Sequence, residues 1–111
     1  MEKRLGKIQS VRFGHGGYQD ACIGIHFDLG GDGWGVVDSR SVWDPNTIKH
    51  SENCKWTEQS RDDDLAKIMR FVSDLLRDAK VSDISRLKGV PVEIEFDGMA
   101  MKSWRILKEV L

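Results

Sequence analysis

One stretch of this 111-residue chain reads as helix and nothing else. Leu65, Ile68, Met69, Val72, Leu75, Leu76 and Ala79 recur at three and four residues, while Lys67, Arg70, Asp74, Arg77 and Asp78 take the other side. Thr57 is the expected N-cap, and Glu58, Asp62 and Asp63 suit the positive end of the helix dipole. A helix over 57–80 with a single apolar stripe needs a surface to cover that stripe. The remaining sequence offers only strand patterns, so the partner is a sheet.

The clearest strand is the alternation of Ile23, Ile25, Phe27 and Leu29 with Gly24, His26 and Asp28. Residues 6–13, with Ile8, Val11 and Phe13, suit an opening strand without clean alternation. Gly30-Gly31-Asp32-Gly33 supplies a hairpin turn, and the chain returns as a third strand over 34–38. Residues 40–55, with Pro45 and Asn46, read as a long surface loop. After the helix, a short helical turn over 83–87 stops at Gly89, and Val92, Ile94 and Phe96 alternate with Glu93 and Glu95. Asp97-Gly98 is a hairpin signal, and 99–107 completes the pair. In the ideal register Trp104 falls on the face opposite Met99 and Met101, so either both faces are covered or a bulge resets the register. The expected fold is α+β: a mostly antiparallel sheet of about five strands in the order β-β-β-α-β-β, with the helix packed on one face.

The length fits one domain over residues 1–111, and 40% apolar against 32% charged residues is enough for a core. Lys and Arg number 17 against 18 Asp and Glu, so no long-range positive field favours non-specific nucleic-acid binding, and a strongly acidic DNA mimic is equally disfavoured. No stretch approaches the roughly 20 apolar residues of a membrane span, and the charged start Met1-Glu2-Lys3-Arg4 lacks the apolar run of a secretion signal. Two cysteines, Cys22 and Cys54, are too few for a disulfide framework, which suits a reducing cytoplasm. His15, His26 and His50 show no paired spacing with them, so neither a metal nor another cofactor is expected.

No catalytic constellation emerges. The glycine runs open no helix and carry no Gly-Lys-Ser or Gly-Lys-Thr, so they read as turns. Asp28, Asp32 and Gly33 fail as a calcium loop because Gly30 and Ser39 occupy ligand positions. Asp20, Cys22 and His26 would share one strand face, which equally describes a solvated surface. Glu93 and Glu95 are most simply the wet side of a sheet.

Four tryptophans are a heavy load for a small chain. Trp34 and Trp104 are expected to close the core, and Trp43, in the loop, to serve recognition. Tyr18, Asp20, Arg40, Trp43 and Lys49 are therefore the expected binding residues: an aromatic and cationic platform at one end of the sheet, suited to a partner surface or an anionic ring-containing ligand. A homodimer would deepen such a site.

The segments Phe13-Gly14-His15-Gly16-Gly17-Tyr18-Gln19-Asp20-Ala21, Gly31-Asp32-Gly33-Trp34-Gly35-Val36, Cys54-Lys55-Trp56-Thr57 and Lys102-Ser103-Trp104-Arg105 resemble a family of small proteins of tailed phages and prophages. That resemblance covers nearly the whole chain. It implies a host bacterial cytoplasm and a non-enzymatic binding protein, with counter-defence against a host immune protein as the working expectation. An oligomeric sponge for a nucleotide immune signal, or a small enzyme degrading such a signal, are the alternatives.

Overall fold

The computed structural model describes residues 1–46 and 57–111, with the Tyr18 side chain left aside. Five strands form one antiparallel sheet: β1 (Glu2–Gly16), β2 (Cys22–Gly31), β3 (Trp34–Trp43), β4 (Pro91–Asp97) and β5 (Ala100–Ile106). The helix α1 (Glu58–Ala79) lies between β3 and β4 in the chain. This is the expected β-β-β-α-β-β order.

Spatially the strands run β3-β2-β1-β4-β5. Three strands connected by tight turns, followed by a fourth that returns beside the first, make a Greek key. β1 is long enough to serve two partners in succession. Its first half pairs with β4 from Glu2↔Phe96 to Lys7↔Pro91, and its second half pairs with β2 from Lys7↔Gly30 to Gly16↔Cys22. The opening strand thus runs farther than its apolar residues suggest, because the charged stretch Glu2 to Arg4 has a partner strand in β4.

Two bulges decide which side chains face inward. In β1 the register against β2 shifts between Ile8 and Ser10. Ile8 opposite Leu29 and Val11 opposite Phe27 therefore share a face, which explains the broken alternation in the sequence. In the second hairpin the turn is Gly98-Met99, and the register shifts again between Glu95 and Phe96. Ile94 then meets Trp104 and Val92 meets Ile106, so the bulge, not a second cover, brings Trp104 inward. At the tip of the first hairpin Gly33 has φ +77°, the left-handed region that an Asp-Gly turn requires.

The sheet curls until its outermost strands approach. Trp104 Nε1 on β5 donates to Asp38 Oδ2 on β3 at 2.7 Å, and its ring meets Phe27 at 5.0 Å and Phe71 of α1 at 6.2 Å, all edge to face. No ladder joins β3 to β5, so the result is a partly open barrel with α1 packed along the opening. The helix begins in a capping box, with the Thr57 hydroxyl accepting from Ser60 N and the Ser60 hydroxyl accepting from Thr57 N. It ends at Lys80 in the left-handed region. Its inward residues Ile68, Leu75 and Ala79 join Ile8, Ile25, Phe27, Ile94 and the other buried apolar side chains in one core. Met69 is the exception in the predicted stripe, being 55% exposed.

Leu75→Ala should cost about 2 to 5 kcal/mol in denaturant unfolding, as a buried large-to-small change; a loss below about 0.5 kcal/mol would place the stripe in solvent. Trp104→Phe keeps a ring in the aromatic cluster and removes the donor to Asp38 together with part of the indole's packing volume. It should cost about 1 to 3 kcal/mol, and an unchanged midpoint would show that this bond does not hold the opening together.

Candidate functional site

The expected binding surface required the end of the first strand and the end of the third to lie together. They do, because β2 sits between them: Gly16 pairs with Cys22, and Cys22 pairs with Trp43. The turn from β1 to β2 and the segment that leaves β3 are thereby neighbours at one end of the sheet.

Asp44 ties this end together. Its backbone N donates to Ala21 O at 2.8 Å. Its carboxylate accepts from Asn46 N at 3.0 Å and from His15 Nε2 at 2.8 Å. These bonds, first the Asn46 amide and then the imidazole, hold the Asp44 carboxyl below its ordinary value. Asp44-Pro45-Asn46 is a local side-chain turn of the kind such residues form, so that half of the arrangement was readable in the chain. The pairing with His15, 29 residues away, was not. Arg12 Nη1 adds a 2.7 Å bond to His15 O.

The turn itself is unusual. Gln19 and Asp20 have φ of 54° and 55°, two consecutive non-glycine residues in the left-handed region, after Gly17 at 75°. Each costs roughly 1 to 2 kcal/mol of local conformational energy, which the surrounding bonds have to hold. Asp20 is exposed in this turn, and its N donates to Gly17 O at 3.2 Å.

Arg40 and Trp43 are placed otherwise than the predicted platform needs. Arg40 is not in a loop, because β3 continues five residues beyond its expected end. It stands opposite Ile25, with its guanidinium 4.0 Å from the Phe71 ring centre and Nε 3.4 Å from Asp38. Trp43 is only 9% exposed. The Arg61 guanidinium lies 5.5 Å from its ring and donates through Nε to Trp43 O at 2.7 Å, docking the start of α1 on the end of β3. The cation-over-ring chemistry is present, yet each pair joins helix to sheet and leaves neither ring offered as a platform. The Tyr18 side chain, Lys49, Cys54 and Trp56 lie outside the described residues.

The Asp20, Cys22 and His26 alignment is also corrected. β2 begins at Cys22, so Asp20 belongs to the preceding turn and not to a strand face. His26 has both ring nitrogens engaged, one with Ser39 Oγ at 2.9 Å and the other with Gly14 O at 3.1 Å. Because a carbonyl only accepts, Nε2 carries the proton and Nδ1 accepts from Ser39. Trp34 and Trp104 both pack against the core, as expected of them. Among the described residues no group of three His, Cys, Asp or Glu side chains is placed to hold a metal ion. Among the described residues no helix is long and apolar enough to cross a membrane.

Sequence reasoning missed His15, Asp44 and Arg61. It also missed a crevice of about 720 Å3 on the outer side of β1, bounded by the β2–β3 turn and the start of β4. Compared with family models, curated proteins and solved structures, the chain matches none of them.

The lowered pKa of Asp44 has a definite sign. A carboxylate depressed on folding stabilises above its unfolded value, near 3.8, and that stabilisation is lost as pH falls through the folded value. On acidification from about pH 5 to about pH 2 the thermal midpoint of the wild type should fall further than that of Asp44→Asn. Glu109, pulled down to about 2 by its bidentate Arg105, titrates alike in both proteins. Parallel curves would show that Asp44 does not carry the proposed tie.

Proposed function

We propose that this protein is a non-enzymatic binding module of the phage or prophage kind, acting by occupying a host immune protein in the bacterial cytoplasm. The recognition surface in this reading is the end of the sheet where residues 14–20 meet Trp43, Asp44 and Asn46. One observation carries it: a strained, exposed turn is held in place by the Asp44 bonds to His15, Ala21 and Asn46. Strain retained at a surface turn is a feature of binding sites, and a surface already fixed loses little entropy on docking. The resemblance of the Phe13 to Ala21 segment to phage proteins supplies the biological context.

Two alternatives have less support. Barrels of this strand arrangement take oligonucleotides on the outer face of strands two and three. Here strands two and three present Gly24, His26, Asp28, Ser39 and Ser41 on that face with no lysine or arginine of their own, and the neighbouring Arg12 of β1, opposite His26, is tied to His15 O. Fold analogy alone therefore carries no nucleic-acid ligand. A signal-degrading enzyme would need an activated group, and His26 is already committed to Gly14 and Ser39.

Tagged protein recovered under native conditions from phage-infected cells should bring down a host protein, identified by mass spectrometry and then confirmed with the purified pair. Positive charge placed in the turn, Asp20→Lys together with Gln19→Lys, should weaken that pair at least about tenfold while the thermal midpoint is kept. Undiminished capture by the folded variant would remove the turn from the interface. Turnover of a cyclic nucleotide by the pure protein, followed by chromatography, would overturn the non-enzymatic reading.

A further inference from the structure

The crevice on the outer side of β1 lies where the long strand changes partners. Lys7 pairs with Gly30 on one side and with Pro91 on the other, and there both neighbouring ladders end. Gly6 lets the strands approach closely at this crossing, since a Cβ there would sit 2.7 Å from Gly30 O and 3.3 Å from the Trp34 ring. With the ladders diverging, the outer side opens into a cavity of about 720 Å3, within the range typical of small-molecule sites. Leu5, Pro91 and Leu107 supply apolar walls. Leu5 is 67% exposed, unlike the core residues beneath it.

The charged groups lining the crevice are Lys7, Lys88 and Asp32. Lys3, Lys67 and Lys108 have carboxylate partners in Glu93, Asp64 and Asp78, while Lys80 meets Leu111 O and Lys102 the Met1 sulfur. Among the described residues neither Lys7 nor Lys88 has a carboxylate within 4.0 Å, and both face the same apolar crevice. Two uncompensated ammonium groups against one carboxylate leave the rim positive over an apolar floor. No aromatic side chain lines the site, so a stacked nucleobase gains nothing there.

From this juxtaposition we infer that the crevice binds a small amphipathic anion: an aliphatic body on the Leu5, Pro91 and Leu107 side and a carboxylate or phosphate head between Lys7 and Lys88. The site is separate from the turn that docks a host protein in the reading above, and either stands without the other. A carboxylate meeting a lysine gains a charge-assisted bond, and the aliphatic chain gains the burial that inorganic anions lack.

The test is isothermal titration of the intact chain with octanoate, octanol, octylammonium and inorganic phosphate, each kept below aggregation, with amide shifts recorded in parallel. Octanoate should bind at one site, at least about tenfold tighter than octanol or octylammonium, and phosphate alone should not saturate. The shifts should cluster at Gly6, Lys7, Gly31 and Gly89. Lys7→Gln with Lys88→Gln should abolish the preference for octanoate over octanol while leaving the thermal midpoint in place, and Leu107→Ser should weaken both ligands. Equal affinity for octanoate and octylammonium, shifts centred elsewhere, an unaltered preference in the double variant, or no saturable binding of octanoate would each overturn the proposal.

Discussion

The opening between β3 and β5 is closed by side chains alone, and much else follows from that. A curled sheet whose edges fail to pair exposes backbone and core along the gap. Here Trp104 reaches across to Asp38, Phe27 and Phe71 pack around its ring, and α1 covers the space. Edge-to-face aromatic pairs add roughly 0.5 to 1.5 kcal/mol each beyond their burial. The arrangement works only because a bulge in the second hairpin turns Trp104 inward, and because the β1 bulge keeps Val11 under Phe27.

That closure also explains where the cations sit. Arg4 lies 5.5 Å from Trp34 and 5.6 Å from Phe96, Arg40 covers Phe71, and Arg61 covers Trp43. Each guanidinium covers an aromatic face that a five-stranded sheet does not bury completely. Arginine suits this task because its planar group stacks while its N–H donors remain free for Glu2, Asp38 or the Trp43 carbonyl. The lysines of the β1 crevice do nothing of the kind, which is why they stand out as groups available to a ligand.

The two-partner use of β1 creates both candidate surfaces. Its far end carries the turn whose neighbours are brought in by β2, and its middle carries the crevice where β2 and β4 part. One is polar and held by hydrogen bonds around Asp44. The other is apolar with a positive rim. Their chemistries suit different ligands, and nearly two thirds of the length of β1 separates Lys7 from Gly16.

The sequence by itself determined the local elements. Apolar spacing set α1, Thr57 set its beginning, alternation set β2 and β4, and Asp32-Gly33 set the first hairpin, because each rests on contacts a few residues apart, while the second hairpin turns at Gly98-Met99, one residue past the Asp97-Gly98 signal. The broken pattern in β1 and the two readings of Trp104 even pointed to bulges. Tertiary structure alone decided what those elements bring together. Asp38 and Trp104 are 66 residues apart, His15 and Asp44 are 29, and the crevice joins side chains from both halves of the chain. Arg40 and Trp43 belong to the right chemical types for a cationic and aromatic site, yet strand order and the docking of α1 gave each a different partner. Residue type is fixed along the chain, whereas the partner that satisfies a guanidinium or covers a ring is chosen by whichever strand the sheet places beside it.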